Sequence, residues 1–231
     1  MSNNFNRTSE ETKREYVEKM GAELGTIFNL LWSEVVSVNW TWNEFLELYV
    51  KKPSRIELLN KSAAFFFKTI QSVLWDNTLL HISRLTDPEK SAGKANLSIQ
   101  QLPGLVSPEL RPELQNLVSL AIKKSAFSRD WRNRYIAHRD LNLTISDEPV
   151  KPLQIASSEN VNEALRAIEA VLNAISHSYM ASTTAFSNSI VHSGAEHLLY
   201  VLDDGLKMDF ERREQIKAHT WDFKKDLRKD L

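Results

Sequence analysis

The apolar residues of this chain recur at intervals of three and four residues along most of its length. Examples are Tyr16, Met20, Leu24, Ile27 and Leu31, and later Val161, Leu165, Ile168, Leu172 and Ile175. That spacing places apolar side chains on one face of an amphipathic helix. No alternation of apolar and polar residues is long enough to indicate a competing strand. The sequence therefore predicts an all-α protein, built as an antiparallel helical bundle.

Capping residues and prolines indicate where these helices begin. Thr8 with Glu11 matches a capping box, Pro53 and Ser107-Pro108 each mark a first turn, and Asn160 with Glu163 predicts another cap. The predicted helices span about 8–38, 40–50, 53–85, 107–139, 160–175, 194–202 and 210–231. We expect residues 1–205 to form the bundle with its flanking helices, and residues 206–231 to form a charged C-terminal helix or tail.

Two of the long helices contain rows of residues at alternating steps of four and three. The first row is Leu59, Ala63, Phe66, Ile70, Val73, Asn77 and Leu80. The second row is Leu110, Leu114, Leu117, Ala121, Lys124, Ser128, Trp131, Tyr135 and His138. Each row predicts a packing seam between helices.

Composition excludes several classes of protein. Cysteine is absent from the 231 residues, which excludes a disulfide framework, thiol catalysis and cysteine-ligated metal sites. The formal net charge is −1, so no overall field attracts nucleic acid or an anionic membrane. The first residues lack the apolar core of a signal peptide, and no stretch approaches the ~20 apolar residues of a membrane span. We expect a cytoplasmic protein with no membrane partner.

One segment, residues 123–139, departs from this neutral balance. It carries six bases against the single acid Asp130, and the bases are Lys123, Lys124, Arg129, Arg132, Arg134 and Arg139. Guanidinium groups match phosphate oxygens and stay charged at every relevant pH, which favours binding of phosphate groups. His138 near the end of the segment can exchange protons close to neutral pH.

A solvated helix face with a capping histidine explains the same residues without a ligand. Histidine and cations near a helix C-terminus are favoured by the helix dipole. His138 also continues the second row, which is typical of a buried histidine whose nitrogens are hydrogen-bonded.

The order of residues adds a more specific indication. Arg132, Asn133 and His138 form the pattern R-N-x4-H at the end of a long helix. This pattern resembles the signature of the HEPN superfamily, small all-α domains that include many metal-independent ribonucleases. The phrases LLHISRLTDP (residues 79–88) and IAHRD (residues 136–140) resemble its abortive-infection branch, the AbiU-like proteins of phage defence. The resemblance spans about residues 55–205 and implies a HEPN-like bundle.

The resemblance implies a metal-independent endoribonuclease of phage-defence or toxin type, with RNA as its substrate and no cofactor. A histidine transfers the proton in this superfamily and an arginine binds the phosphate. By analogy His138 is the general base or acid, and Arg132 is the electrostatic stabiliser. Asn133 is expected to orient the phosphate or His138, and Asp76 to orient one of these groups. The remaining bases of the segment are expected to contact RNA, namely Lys123, Lys124, Arg129, Arg134 and Arg139.

Helix geometry bears on how such a site is assembled. Six residues of ideal helix separate Arg132 from His138 by ~9 Å along the axis and by ~120° around it. Both side chains of one chain therefore converge only if the helix distorts near Ala137, whereas a symmetric dimer relaxes this demand. The resemblance implies a homodimer whose cleft is lined by both copies of Arg132 and His138. Asn77 is interpreted either as a polar group of that cleft or as a buried amide that sets helix register.

Two other functions remain compatible with the sequence. The main alternative is a non-catalytic HEPN-like module that binds RNA, a nucleotide or a protein, since the same basic segment supports it. The other is a structural dimer in which the R-N-x4-H pattern only caps a helix. The toxin-type interpretation also implies an antitoxin or another defence-system protein as a partner.

Overall fold

A computed structural model of the chain describes residues 8–137, 152–186 and 193–221, which are mostly helical. The helices are α1 (Ser9–Met20), α2 (Ala22–Tyr49), α3 (Pro53–Leu85), α4 (Leu102–Leu105), α5 (Arg111–Lys124), α6 (Ala126–Trp131), a π-helix (Arg132–Ile136), α7 (Ser158–Met180) and α8 (Ala195–Lys217). Between α3 and α4 lie a short antiparallel hairpin, β1 (Lys90–Ser91) with β2 (Lys94–Ala95), and a 3₁₀ turn (Ile99–Gln101). The predicted all-α class is confirmed.

Gly21 separates the first two helices. Thr8 and Glu11 form the predicted capping box at the start of α1. Gly21 then ends α1 with a φ of +87°, a backbone conformation that favours glycine. The prediction of one helix over 8–38 is therefore wrong. The segment predicted at 40–50 is the last part of the continuous helix α2.

The predicted helix over 53–85 is confirmed as α3, but its predicted packing row is not. Ala63 has φ −162° and ψ 73°, which lies outside the helical range. Beyond Ala63, Phe67 is buried, whereas Phe66 and Val73 of the predicted row are exposed. The row is wrong in this part because it assumed one regular helix.

The helix predicted over 107–139 is divided into shorter elements. It begins at Arg111, a turn at Ser125 separates α5 from α6, and the π-helix follows α6. Leu114, Val118 and Ala121 form the buried face of α5.

The row predicted for α7 is confirmed, because all five of its apolar residues are buried: Val161, Leu165, Ile168, Leu172 and Ile175. The cap differs from the prediction. Ser157 is the capping residue and Asn160 is its capping-box partner, while Glu163 pairs with Lys124 instead.

The described residues divide into two compact units. Unit 1 contains residues 8–43, 73–137 and 152–186, and in it α5 packs against α7. Unit 2 contains residues 44–72 and 193–221. In unit 2 the Glu44 carboxylate accepts a hydrogen bond from the Ala195 backbone N–H at 2.5 Å, and the Tyr49 hydroxyl donates to the Phe67 backbone oxygen at 2.8 Å. The boundary predicted after residue 205 falls within α8.

Candidate functional site

Arg132 begins the π-helix that follows α6. The backbone N–H of Ala137 donates to the backbone oxygen of Arg132, five residues earlier, at 2.8 Å. Such segments occur frequently at functional sites. A π turn also changes the rotation per residue, so side-chain directions calculated for an ideal helix do not apply after Arg132. His138 and Arg139 lie outside the described residues.

Asp87, in the turn after α3, binds the guanidinium group of Arg132. Nη1 of Arg132 donates to Oδ2 of Asp87 at 2.6 Å, a short charge-assisted hydrogen bond. Nε of Arg132 donates to the side-chain oxygen of Asn133 at 3.0 Å. Nε of Arg129 lies 3.7 Å from the other carboxylate oxygen of Asp87. One carboxylate therefore lies between two guanidinium groups.

These charged side chains line an open cleft of about 740 Å³ in unit 1. The residues lining it are Asp87, Pro88, Ser91, Gln100, Ile122, Arg129 and Arg132. A cleft of this size lies within the range that binds small ligands, and its lining combines cationic, polar and aliphatic groups. It has room for a phosphate with its attached sugar. A second cleft of about 520 Å³, in unit 2 between α3 and α8, contains none of the predicted site residues.

Two other bases of the predicted RNA-contacting segment have acidic partners. Nζ of Lys124 lies 2.8 Å from a carboxylate oxygen of Glu163 on α7. Nη1 of Arg134 lies 3.4 Å from Oδ1 of Asp130 within the segment itself. Lys123 is exposed on α5. The positive charge of the segment is thus partly neutralised by Asp130 and also by Glu163, which the local sequence count did not include.

Asp76 and Asn77 lie partly buried on α3, about three turns before the Asp87 turn. Neither side chain makes a hydrogen bond or ion pair with a residue that the structure describes. Burial raises the pKa of Asp76 above its ordinary value. The structure shows no hydrogen bond or ion pair from either residue to Arg132 or Asn133, and their supporting roles stay predictions.

Asp87 is the charged residue of this cleft that the sequence analysis did not assign to a site. It belongs to the phrase LLHISRLTDP, which in the sequence carries only the family resemblance. The sequence did contain one indication of a role for Asp87, because this acid directly follows a helix and lies inside a phrase that resembles the family. Its partner Arg132 lies 45 residues later, so no local pattern links the two side chains.

A family model of HEPN type, described as AbiU2, matches residues 21–197, more than three quarters of the chain. The chain belongs to the HEPN AbiU2 family. The match confirms the resemblance expected from the sequence, and it begins at residue 21, so that it also includes α2. No curated protein and no solved structure matches the chain.

The AbiU2 match includes the Asp87 turn, Arg129 and the π-helix, so the cleft lies inside the family unit. Among the described residues of this AbiU2 chain, no helix is both long enough and apolar enough to cross a membrane. Within the same ranges, no group of three histidine or acidic side chains is arranged to hold a metal ion.

Proposed function

We propose that this AbiU2 chain is a metal-independent endoribonuclease of phage-defence or toxin type, with catalytic residues Arg132, Asn133 and His138. The observation that carries the proposal is the position of the Arg132 guanidinium on the wall of an open cleft. Its bonds to Asp87 and Asn133 use only part of its five N–H donors. Family membership supports the same reaction class, because HEPN domains are often ribonucleases.

The proposed reaction is an internal transesterification of the RNA backbone. His138 takes the proton from a ribose 2′-OH, and the 2′ oxygen forms a bond to the adjacent phosphorus. The bond from phosphorus to the 5′ oxygen breaks, and the imidazolium of His138 returns the proton to that leaving oxygen. The products are a 2′,3′-cyclic phosphate and a 5′-hydroxyl end. Arg132 stabilises the charge that develops on the pentacoordinate phosphate.

Asn133 contributes to this site by orienting Arg132. Its side-chain oxygen accepts the hydrogen bond from Nε of Arg132 and thereby restricts the plane of the guanidinium group. In the proposed enzyme two chains pair, and both copies of Arg132 and His138 serve one composite cleft. An antitoxin or another defence-system protein is the proposed cellular partner.

The test is RNA cleavage by the purified protein in EDTA. We expect Arg132→Ala to lower the cleavage rate by about 10²–10³-fold, because a single cationic donor to the transition state has an effect of that order. His138→Ala should abolish cleavage. His138→Ala should keep the thermal melting temperature of the parent protein. Arg132→Ala should remain folded but melt at a lower temperature, because it removes the closest partner of the Asp87 carboxylate.

Arg166→Ala is the matched control, since it also removes one arginine charge. Arg166 is exposed on α7, where its nearest acid, Glu159, is 4.0 Å away. Its cleavage rate should equal that of the parent chain. If His138→Ala cleaves RNA as fast as the parent chain, the activity belongs to another site or to a contaminant, and the proposal is wrong.

The ion pair between Arg132 and Asp87 also supports a second function, an AbiU2 module that binds RNA without cutting it. A guanidinium already paired with a carboxylate still attracts a phosphate, but more weakly than a free one. In that case RNA binding is salt-sensitive and survives His138→Ala, and the parent chain produces no 2′,3′-cyclic phosphate.

A further inference from the structure

The Asp87 turn is tied to the segment that follows the β1–β2 hairpin. The buried hydroxyl of Ser98 lies 2.5 Å from the backbone oxygen of Asp87 and 3.2 Å from that of Leu85. Nε2 of Gln100 donates to the backbone oxygen of Thr86 at 2.9 Å. Buried hydrogen bonds of this kind restrict the backbone, so the Asp87 carboxylate is held at the edge of the cleft.

Arg129 reaches the same turn from α6. Its Nη2 donates to the backbone oxygen of Thr86 at 2.6 Å, while its Nε lies 3.7 Å from Oδ1 of Asp87. That Nε and that Oδ1 are both buried, and neither has a hydrogen-bond partner among the described residues. The distance is too long for a direct hydrogen bond, so the attraction between the two groups is mainly Coulombic.

The cluster keeps a net positive charge, because two guanidinium groups face one carboxylate. Arg132 has donors beyond those that it uses on Asp87 and Asn133, and within the described part of the chain these have no other partner. They are therefore available to an anionic ligand in the cleft. The carboxylate determines where those donors lie.

We propose that Asp87 is the positioning residue of the phosphate site. Its Oδ2 fixes the Arg132 guanidinium, and its Oδ1 holds Arg129 alongside, so that both cations meet the same phosphodiester. This inference rests on the proposed ribonuclease function, and it adds Arg129 as a second phosphate ligand. The negative charge of Asp87 opposes RNA binding while its geometry favours cleavage. Removing the Asp87 charge should therefore tighten RNA binding and slow cleavage. Removing a residue that only supports the fold should weaken both.

The experiment compares the parent chain with Asp87→Asn. We expect kcat to fall by about 10²-fold, because a displacement of about 1 Å in a catalytic group has an effect of that order. KM and the Kd for uncleaved RNA should both fall several-fold, and the salt dependence of the Kd should become steeper, because one negative charge is gone. Asp87→Glu keeps the carboxylate and should recover part of kcat. The melting temperature shows whether each variant is folded.

Asp130→Asn is the matched control, because it removes the same charge from the acid beside Arg134. It should tighten RNA binding without lowering kcat. A second measurement does not depend on cleavage: the Nε–Hε signal of Arg132 in a ¹⁵N NMR spectrum, assigned with Arg132→Ala. That signal should shift or broaden in Asp87→Asn and stay unchanged in Asp130→Asn.

The possible outcomes separate the inference from the proposed function. If Asp87→Asn raises both kcat and RNA affinity, Asp87 shields the arginines and does not position them. A joint loss of kcat, affinity and melting temperature indicates that Asp87 only supports the fold, which also overturns the inference. If the parent chain cuts no RNA, the ribonuclease proposal is wrong, while the NMR signal still tests whether Asp87 holds Arg132. An Arg132 signal that is unchanged in Asp87→Asn overturns the positioning role.

Discussion

Glu169 on α7 is a partly buried carboxylate whose environment predicts a pH dependence of stability. Burial raises the pKa of Glu169 above its ordinary value, although a hydrogen bond from the Asn39 side chain and the nearby Arg166 act in the opposite direction. The folded state therefore binds this proton more tightly than the unfolded chain does. The stabilisation from protonation is complete at acid pH and is lost as the pH rises through the folded pKa.

We therefore expect Glu169→Gln to melt at a higher temperature than the parent chain at pH 8, because the neutral amide avoids the cost of burying a charge. The difference should shrink as the pH falls and disappear well below the ordinary glutamate pKa of about 4.3, where Glu169 is protonated in both states. Thermal unfolding measured across this pH range provides the test. Glu211→Gln, on an exposed part of α8, should show little pH-dependent difference. A lower melting temperature for Glu169→Gln at pH 8 contradicts the interpretation.

The candidate site shows which residues a sequence indicates and which it does not. Arg132 and Asn133 were identifiable because they are neighbours within one helix end, and they do contact each other. Asp87 was not identifiable, because its contact with Arg132 depends on how the turn after α3 meets the π-helix in the folded chain. The pairing of Lys124 with Glu163 depends in the same way on the packing of α5 against α7. Ion pairs between distant elements follow from tertiary structure, and a count of local charge does not contain them.

The approach of α1 to α2 depends on Gly25. An added Cβ at Gly25 would lie 2.5 Å from the backbone oxygen of Tyr16 and 2.6 Å from Cα of Val17. Both are backbone atoms of α1, so only a movement of that helix relieves the overlap. We expect Gly25→Ala to lower the free energy of unfolding by about 1–3 kcal/mol, the usual cost of overpacking. The melting temperature should fall by several degrees.

Gly205→Ala is the control for this prediction, because a Cβ at that position in α8 meets nothing within 4 Å. Alanine has the better helix propensity, so this variant should gain about 0.5–1 kcal/mol. Urea unfolding of both variants gives the two free energies. Equal stability of Gly25→Ala and the parent chain would mean that α1 is not closely packed on α2 at this point.

The helices predicted from the sequence match the structure where a helix is regular. They do not match it where the backbone changes direction. Apolar spacing identified α7 and all five of its buried positions, because that helix is regular from Ser158 to Met180. It did not identify the non-helical geometry at Ala63 or the π turn at Arg132. Neither position carries a proline, and the Gly21 break follows an otherwise continuous row. Periodicity therefore predicts which segments are helical better than it predicts where a helix bends.

The described residues divide into two units, and the proposed site uses residues of only one of them. The cleft with Asp87, Arg129 and Arg132 belongs entirely to unit 1. Unit 2 exposes several large apolar side chains, namely Val50, Ile56, Phe65, Phe66, Leu198, Tyr200, Val201, Met208, Phe210 and Ile216. The proposed catalytic residues Arg132 and Asn133 thus lie in unit 1, which also exposes large apolar side chains such as Trp40, Val73 and Ile155. A substitution in unit 1 can therefore be chosen to test catalysis without altering the apolar residues of unit 2.

The proposed homodimer predicts complementation between two inactive variants. If each active site takes Arg132 from one chain and His138 from the other, a mixed dimer of Arg132→Ala and His138→Ala contains one site with both residues intact. Mixing the two inactive proteins under conditions that exchange subunits should form such dimers in about half of the population and restore a corresponding part of the cleavage. Light scattering establishes that the mixture is dimeric, and mass spectrometry of differently tagged chains measures the mixed fraction. If mixed dimers form but cut no RNA, one Arg132 and one His138 from opposite chains are not sufficient for cleavage. Either the two residues then act within the same chain, brought together by the π turn after Arg132, or the cleft requires both copies of each.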